Sequence, residues 1–526
     1  MILSCRPRAT SYVLRIRRAL SGRLRSMGAD EATPLVASEG GWGDLRAEAA
    51  AIGGMAWKVS LATFCRLCVT TISTAFLGHL GTKELAAGAL AGSFIGALRV
   101  LNWAFAVSIC TLCGQAYGAK NYELVGTWFQ LGLLGLTLLS VPVMVVYFYV
   151  GDIMSIVTDD AELLLLADTY ARYSALSVWP QAFYVALRQY LQAQEILTPT
   201  TVIDTWSVGV VFGANYVLIY GVGSFAGLGF IGSPLAAFVA AVFQPTALFL
   251  YAFLYKGYHK RTWGGWSWAV LNPAYVARFA SLTGAMFLNL ALDEWAYNVV
   301  AMVAGALGGI NLAANSIVFN IWMLGYGVFA GFSLPIQVRI SHALGANQPR
   351  NAKRTLLVGF VLGALSSIVT VLGVVLFGRP LIGVFTSDEA VVDVILSILP
   401  MFGLAMAFSS FHVFLSAVIE AMSLASTLAV ISGVGSWFVL LPASYLFGLT
   451  LRGGLAGLWW GSVLGEGAKF VLILLALQRL DWRVIAAQIA AAQESSAAGD
   501  DDETALHKAM ELDLHSPAAA ATPAFV

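Results

Sequence analysis

Charged side chains are scarce in this chain of 526 residues. Asp, Glu, Lys and Arg make up 11% of it, whereas soluble globular proteins carry about 25%. Hydrophobic residues account for 59%, and the mean hydropathy is +0.79. So few charges cannot cover a soluble protein of this size, which excludes a soluble enzyme and a disordered scaffold. The 29 basic and 29 acidic residues balance, so we expect no nucleic-acid partner held by overall positive charge.

The sequence also lacks the usual signals of cofactor or nucleotide chemistry. Of five cysteines, Cys65, Cys68, Cys110 and Cys113 form two CxxC pairs, but both pairs lie in apolar helical stretches where packing is the expected role. A GxxxxGK[ST] loop is missing, which disfavours an ATP-driven pump. We therefore expect no enzyme activity, no metal and no cofactor.

Long apolar segments dominate the rest of the chain. A membrane-spanning helix needs about 20 apolar residues, because lipid offers no partner for unpaired backbone groups. The pattern predicts an all-α polytopic membrane protein of about twelve transmembrane helices. The predicted spans are 55–77, 85–112, 124–150, 161–185, 200–221, 226–255, 274–304, 310–337, 355–377, 391–419, 425–449 and 453–478.

The two termini differ in composition from the spans. Residues 1–51 are rich in arginine, with no acidic residue before Asp30. We interpret them as a basic cytosolic tail held by anionic lipid, and an organelle transit peptide is the alternative. Residues 485–526 are Ala-rich with an acidic run at 500–503, and we expect them to be disordered.

Loop charges predict the orientation of the protein in its membrane. One set of loops, here called the basic end, carries Lys120, Lys256, Lys260, Arg261, Arg339, Arg350, Lys353 and Arg354. The opposite set, the acidic end, carries Lys83, Arg379, Arg452, Asp152, Asp159, Asp160, Asp388 and Glu389. Since basic loops stay in the cytosol, both termini are expected there. The membrane itself, plasma membrane or vacuolar or other organelle membrane, is left open.

The chain repeats itself at an offset of 227 residues. The matching pairs are Leu85-Ala86-Ala87 with Leu312-Ala313-Ala314, Gly78-His79-Leu80-Gly81 with Gly305-Ala306-Leu307-Gly308, and Gly118-Ala119 with Gly345-Ala346. This predicts two parallel six-helix lobes, at 52–262 and 263–484. Transporters built from such repeats bind substrate between the lobes near the membrane midplane.

Ionisable residues inside the spans are the first functional candidates, because a charge in lipid is costly. Asp293 and Glu294 lie in the middle of the seventh span, and adjacent helical residues point about 100° apart, so the pair cannot share one face. The repeat offset relates Arg66 in the first span to Asp293, and Arg99 lies in the second span. We therefore expect a cleft that is cationic in the first lobe and acidic in the second, with an arginine for an anionic group and Asp293 for a proton.

Several stretches resemble the MATE (multidrug and toxic compound extrusion) transporters of the eukaryotic type, over about residues 52–484. They are Phe76-Leu77-Gly78-His79-Leu80-Gly81, Thr111-Leu112-Cys113-Gly114-Gln115-Ala116-Tyr117-Gly118-Ala119, Tyr190-Leu191-Gln192-Ala193-Gln194 with Pro199, Trp263-Gly264-Gly265-Trp266, and Arg339-Ile340-Ser341-His342-Ala343-Leu344-Gly345-Ala346. The resemblance implies a V-shaped cleft and antiport of small organic solutes against protons, or sodium. We expect the protein to act as a monomer in the bilayer.

The resemblance also implies site residues, with departures. The family glutamate of the seventh span falls on Asp293, whereas further family acids fall on Asn298, Asn320, Ser409 and Cys110. These losses put organic-cation export in doubt. Other candidates are His412 as a substitute proton carrier, Asn298 and Asn320 for substrate binding together with Trp295 and Tyr297, whose rings could stack on solutes, and Gln115 and His342, which are related by the repeat, at the inner gate.

Alternative functions stay open at this point. An organic-anion exporter of the same fold, for carboxylates or phenols, would use Arg66 and Arg99. A lipid-linked precursor flippase is weakly supported by the same two residues. A membrane-embedded enzyme would need a catalytic His or carboxylate with a partner at the membrane surface, and composition alone does not exclude a channel.

Overall fold

The structure, a computed structural model, describes residues 42–156 and 160–497. The arginine-rich segment before residue 42, with its two interpretations, and the acidic run at 500–503 lie outside the described residues. The described residues from Ala49 onward form one compact unit.

Within the described residues, twelve helical segments have the length to cross a membrane. Eleven are long and apolar. The twelfth, 161–192, is interrupted by a 3₁₀ turn at Ala175–Ser177, just before Pro180 removes a backbone donor. In chain order they are α1 Trp42–Leu80, α2 Thr82–Gly118, α3 Tyr122–Tyr147, α4 161–192, α5 Thr198–Tyr220, α6 Gly229–Tyr255, α7 Pro273–Ala306, α8 Gly309–Gly345, α9 Pro349–Leu376, α10 Glu389–Ala421, α11 Ala425–Thr450 and α12 Gly454–Arg479. The predicted helical membrane fold is confirmed.

Local sequence signals start several of these helices. Asn121 accepts a hydrogen bond from the Leu124 N–H at 3.2 Å and caps α3. Asn272 caps α7 just before Pro273, and Asp388 caps α10. Such side chains satisfy N–H groups that lack partners in the first helical turn. The short helices Val150–Met154 and Gly378–Gly383 lie in loops at the acidic end.

The backbone confirms the internal repeat. Lys120 and Asn347, which are 227 residues apart, both adopt a left-handed conformation, with φ of 60° and 54°. Glu195 and Ser423 follow the same rule at an offset of 228, and each has a φ of 61°. Non-glycine residues rarely adopt this conformation. Its recurrence at matching turns shows that α1–α6 and α7–α12 follow the same path, as two lobes.

The expectation of disorder from residue 485 is wrong for its first part. A further helix, α13 (Trp482–Ala497), buries Trp482, Ile485, Ala486 and Ile489 against the second lobe. These four residues follow the spacing of one helical face, a signal that the Ala-rich composition concealed. The Asn121 amide donates to the Gln493 carbonyl at 3.2 Å, so α13 also contacts the first lobe.

Contacts between the lobes close the basic end. The Gln115 amide on α2 donates to the Ala421 carbonyl at 2.8 Å and to the Ser423 hydroxyl at 2.9 Å. Gln337 on α8 donates to Thr111 on α2 at 3.1 Å. Glycine permits this approach, because a Cβ on Gly118 would collide with the backbone of His342.

A second connection between the lobes is formed by Glu195 in the first lobe and by Arg339 and His342 in the second. These three residues are here called the latch. The His342 Nε2 lies 2.7 Å from the Ala193 carbonyl, and its Nδ1 lies 3.5 Å from Glu195. Arg339 donates to Glu195 at 3.2 Å. Burial alone would raise the pKa of Glu195, but the hydrogen bonds and charges of His342 and Arg339 outweigh it, so the pKa lies below the ordinary 4.5.

The opposite ends of the lobes are not joined in this way. Between the described residues, hydrogen bonds that connect the two lobes occur only toward the basic end. The hydrogen bonds between the lobes therefore close the basic end of the cleft, and none joins the described residues at the acidic end.

Replacing Glu195 with Gln tests the latch. The lowered pKa means that the stabilisation is present above the ordinary pKa and is lost as pH falls through the lowered one. We expect Glu195→Gln to cost about 0.5 kcal/mol at neutral pH, typical of partly exposed ion pairs, and less in acid. Thermal unfolding across pH measures this, with Glu389→Gln in an exposed pair as the control. A stability gap that widened in acid would contradict the assignment.

Replacing Gly118 with Val tests the close approach of α2 and α8. The added side chain would meet the His342 backbone, whereas a Cβ on Gly213 has no neighbour within 4 Å. Overpacking costs about 1–3 kcal/mol, so Gly118→Val should destabilise the closed basic end and Gly213→Val should not. Distances between spin labels on the loops after α2 and α8 report the opening. Equal distances in the two variants would show that the approach is not tight.

Candidate functional site

Asp293 on α7 is the centre of a polar cluster inside the second lobe. Its Oδ1 accepts hydrogen bonds from Ser436 at 2.6 Å and from Lys469 at 3.2 Å. The Ser432 hydroxyl lies 3.0 Å from the Asp293 Oδ2 and 2.7 Å from the Asn289 Oδ1, and shares its single proton between these two acceptors. The carboxylate is therefore held by α11 and α12, and its side chain keeps 23% exposure.

Lys469 joins Asp293 to a second carboxylate. Its ammonium lies 2.6 Å from Glu466, one turn earlier on α12, and both side chains are almost fully buried. The Tyr297 hydroxyl donates to Glu466 Oε1 at 2.5 Å. The His412 Nδ1 lies 3.3 Å from Oε2, an ion-pair distance at which hydrogen-bond geometry is not met. These residues form the C-lobe cluster: Asp293, Tyr297, His412, Glu466 and Lys469.

The C-lobe cluster carries one negative charge in excess when His412 is neutral. Two carboxylates surround one ammonium, and each of the three is held by at least one further group. A charge inside an apolar medium needs such partners, since an unpaired one is costly. A proton added to the cluster belongs to the coupled group rather than to one residue. The arrangement can therefore take up one proton and become neutral.

A second cluster occupies the first lobe. Arg66 donates to Asp204 Oδ2 at 2.8 Å, and Oδ1 accepts from Tyr184 at 2.6 Å and from Gln244 at 3.1 Å. Asp204 is fully buried, whereas the Arg66 side chain is 30% exposed. The guanidinium of Arg188 lies 5.8 Å over the Tyr184 ring. These five residues form the N-lobe cluster.

The two clusters occupy equivalent positions in the two lobes. Sequence offsets of 222 to 228 residues relate Arg66 to Asp293, Tyr184 to His412, Asp204 to Ser432 and Gln244 to Glu466. In each lobe the first, fourth, fifth and sixth helices contribute one member of these pairs. The same scaffold therefore holds two polar centres of different chemistry.

The expected separation of charge signs is incomplete. Asp204 lies within the first lobe and Lys469 within the second, so each lobe contains both signs. Only the net charge of each cluster agrees with the expectation. In the N-lobe cluster two arginines face one carboxylate, which leaves an excess of positive charge. Sequence reasoning missed Arg188, Asp204, Glu466 and Lys469. Each was visible as a charged residue in an apolar helix.

The candidates next to Asp293 fall on different faces of α7. Tyr297 is one turn away and shares its face. Glu294, Trp295 and Asn298 are exposed and lie outside the C-lobe cluster, so the structure does not bring Glu294 to the coupling site as expected. The Trp295 ring contacts Phe287 at a centroid distance of 6.5 Å.

Two further substrate-binding candidates lie apart from both clusters. Asn320 is exposed and donates to the Ser316 carbonyl of its own helix at 2.8 Å. Arg99 is exposed on α2, next to Leu98, which packs with Tyr147 at the far end of the first lobe. Arg66 and Arg99 therefore do not share one site.

Metal chemistry has no support in the described residues. Within them no group of three or more His, Cys, Asp or Glu side chains is arranged to hold a metal ion. The four described cysteines are free thiols, and Cys65, Cys110 and Cys113 are buried.

Comparisons with known proteins agree with this architecture. Residues 59–217 and 285–446 match the MatE family. Multidrug and toxin extrusion protein 1 of Mus musculus is 30% identical over 438 residues, which cover 82% of this chain and 75% of the relative. The Homo sapiens protein of the same name is also 30% identical, over 82% of this chain and 74% of its own.

Solved structures show the same fold. The eukaryotic MATE transporter AtDTX14 superimposes with a TM-score of 0.78 at 23% identity, over 85% of this chain and 99% of its own. A multidrug resistance MATE transporter in an outward-facing conformation gives 0.74 at 16% identity, over 84% and 96% of the two chains. With two six-helix lobes, a cleft between them and a family match over more than half of its length, the chain belongs to the MatE family of multidrug and toxin extrusion transporters, as an integral multi-pass membrane protein and not an enzyme.

Proposed function

We propose that the protein is an antiporter that exports small organic solutes in exchange for protons. Its basic end faces the cytosol, together with both termini, because positively charged loops are retained there. Its acidic end faces the outside or the organelle lumen. The relatives named as multidrug and toxin extrusion proteins support the export of organic solutes.

The C-lobe cluster carries the proposal. Asp293 is the most exposed of the ionisable His, Lys and carboxylate members, so a proton or solute entering the cleft meets it first among them. Lys469 lies behind Asp293, Glu466 lies next to Lys469, and His412 lies next to Glu466 at the end of this series of contacts. Proton binding neutralises the excess negative charge of the cluster and removes its attraction for a cationic solute. Proton uptake and release of the solute are coupled in this way.

Alternating access completes the cycle. The described state is closed at the basic end by the contacts of Gln115 and by the latch, and a solute leaves toward the acidic end. Return requires these contacts to break while the acidic ends of the lobes come together. The parallel repeat supports such rocking of one lobe against the other.

Export of organic anions is the second candidate. One observation favours it: the N-lobe cluster holds two arginines and one carboxylate, so a positive charge remains. A carboxylate or phenolate solute would neutralise it. This second candidate function uses the same coupling ion and the same C-lobe cluster as the first.

Replacing Asp293 with Asn tests the coupling directly. The variant keeps the shape of the side chain but cannot carry the proton, so we expect pH-driven uptake of a fluorescent organic solute into proteoliposomes to fall at least about tenfold. An imposed sodium gradient at constant pH distinguishes the two coupling ions. Full pH-driven uptake by Asp293→Asn would refute the assignment.

Glu294→Gln is the matched control for that experiment. Glu294 adjoins Asp293 in sequence but is exposed and lies outside the C-lobe cluster. We expect its uptake to stay close to that of the unmodified protein, since Glu294 forms no hydrogen bond or ion pair with the described members of the C-lobe cluster and its charge acts on Asp293 only through space. Loss of uptake in this variant alone would move the coupling site to the other face of α7.

Replacing His412 with Gln tests whether this residue takes part in proton transfer. A histidine ring can gain and lose a proton, whereas the amide of glutamine cannot. We expect Glu466 to remain buried and bound to Lys469, while the pH dependence of uptake changes and solute–solute exchange continues. Uptake measured over a range of pH, with exchange at constant pH as the reference, separates the two effects. An unchanged pH profile would remove His412 from the proton path.

A further inference from the structure

The segment that joins the two lobes, between α6 and α7, carries cations that are not paired with acids. Lys256, Lys260 and Arg261 are exposed, and none of them forms an ion pair with a residue that the structure describes. The chain contains no aspartate or glutamate over residues 250–272. One carboxylate, that of Glu123 on α3, lies near the segment. Three cations beside one acid leave an excess of positive charge at this place.

Two tryptophans follow the cations in the same segment. Trp266 and Trp268 keep 69% and 85% exposure, whereas Trp128 on the adjoining α3 is fully buried. Leu254 and Tyr255, at the end of α6, are exposed as well. Tryptophan is enriched where a membrane meets water, because its ring is apolar and its N–H is polar. The segment therefore combines an excess of positive charge with apolar rings that the protein leaves uncovered.

Contacts with α3 determine the relative depth of the cations and the tryptophans. The Arg261 guanidinium lies 4.0 Å over the ring of Tyr122, the first residue of α3. The Gly265 carbonyl accepts a hydrogen bond from Gln130 at 2.6 Å, and the Ser267 N–H donates to Gln130 at 3.3 Å. Gln130 follows Tyr122 by eight residues, which is about 12 Å along the helix axis. The segment therefore runs from the basic end toward the interior of the membrane, with the cations outermost and the tryptophans deeper.

The segment is held firmly against the first lobe. The Thr262 hydroxyl donates to Gln194 on α4 at 3.3 Å and is also hydrogen-bonded to Tyr190. A Cβ on Gly126 would lie 2.5 Å from the Thr262 carbonyl, so the backbones of α3 and the segment are in direct contact. Charges and rings on such a fixed support lose little conformational entropy when they bind a partner.

We propose that this surface, the linker patch of Lys256, Lys260, Arg261, Trp266 and Trp268, binds an anionic phospholipid. The cations hold the phosphate and the acidic headgroup through charge-assisted hydrogen bonds, and the tryptophans lie beside the glycerol and the upper acyl chains. A soluble phosphate would leave the deeper rings without a partner, so the geometry favours a lipid. The proposed orientation places this lipid in the cytosolic leaflet, where anionic lipids are abundant. Binding of the lipid depends neither on the transported solute nor on the coupling ion.

Photocrosslinking in vesicles tests the assignment. The full-length protein is reconstituted in phosphatidylcholine vesicles that contain a small fraction of a lipid with a photoreactive group at the start of one acyl chain. This probe carries either a serine or a choline headgroup on the same chains, and mass spectrometry maps its crosslinks along the protein. We expect the serine probe to be enriched over the choline probe at residues 254–271, and the enrichment to fall in high salt, which screens the attraction between charges.

Two double variants separate recognition of the headgroup from contact with the deeper part of the lipid. Lys256→Gln combined with Lys260→Gln should lower the enrichment of serine over choline at least about fivefold, the effect of one cation near a membrane surface. Trp266→Ala combined with Trp268→Ala should reduce crosslinking of both probes and leave their ratio unchanged. All four side chains are exposed, and thermal unfolding of each variant shows that it is folded.

The matched control is Lys83→Gln combined with Arg379→Gln, which removes two charges from exposed ion pairs at the acidic end and should keep the enrichment at the linker patch. Equal crosslinking of the serine and choline probes in the unmodified protein would overturn the proposal, as would unaltered enrichment after both lysines are replaced. Loss of the serine crosslinks on addition of water-soluble glycerophosphoserine, at the concentration of the probe, would assign the site to a free phosphate ester instead.

Discussion

The cost of placing a charge in an apolar interior governs this molecule. Asp293, Glu466 and Lys469 are tolerated inside α7 and α12 because each is within bonding distance of an opposite charge. Asp204 is tolerated because Arg66, Tyr184 and Gln244 saturate it. Once most charges are neutralised in this way, the few that are not become informative. Arg188 is such a residue, because it is buried on α4 and its Nε has no hydrogen-bond partner.

The two lobes show how one scaffold supports two chemistries. A shared backbone path brings the first, fourth, fifth and sixth helices of each lobe together around a polar centre. In the first lobe this centre is a closed ion pair with hydrogen bonds to its carboxylate. In the second it is a partly exposed carboxylate with a lysine and a second carboxylate behind it. The first is suited to hold a fixed charge, and the second is suited to change its charge.

The contacts at the basic end link these centres to movement. They are hydrogen bonds, a partly exposed ion pair and close glycine approaches, and apolar packing of α2 against α7 adds to them, as where the Phe105 and Phe279 rings lie 5.7 Å apart. Individually the polar contacts contribute about 1 kcal/mol or less, so opening the basic end breaks several weak polar contacts together with this apolar packing. The left-handed turns at Glu195 and Ser423 place two of the joining groups at equivalent positions.

The class of fold, the number of spans, the repeat and the position of Asp293 within the seventh span were all predictable before any contact was known. They follow from composition, segment length and a fixed offset, which are properties of residues close together in the chain or of simple periodicity. Which charges meet depends instead on the packing of distant helices. Glu294 and Trp295 adjoin Asp293 in the chain, yet its partners Ser436 and Lys469 come from helices about 140 to 180 residues away. Helical geometry turns neighbours in sequence to different faces, and only the packing of distant helices shows which buried charge is paired and which remains free.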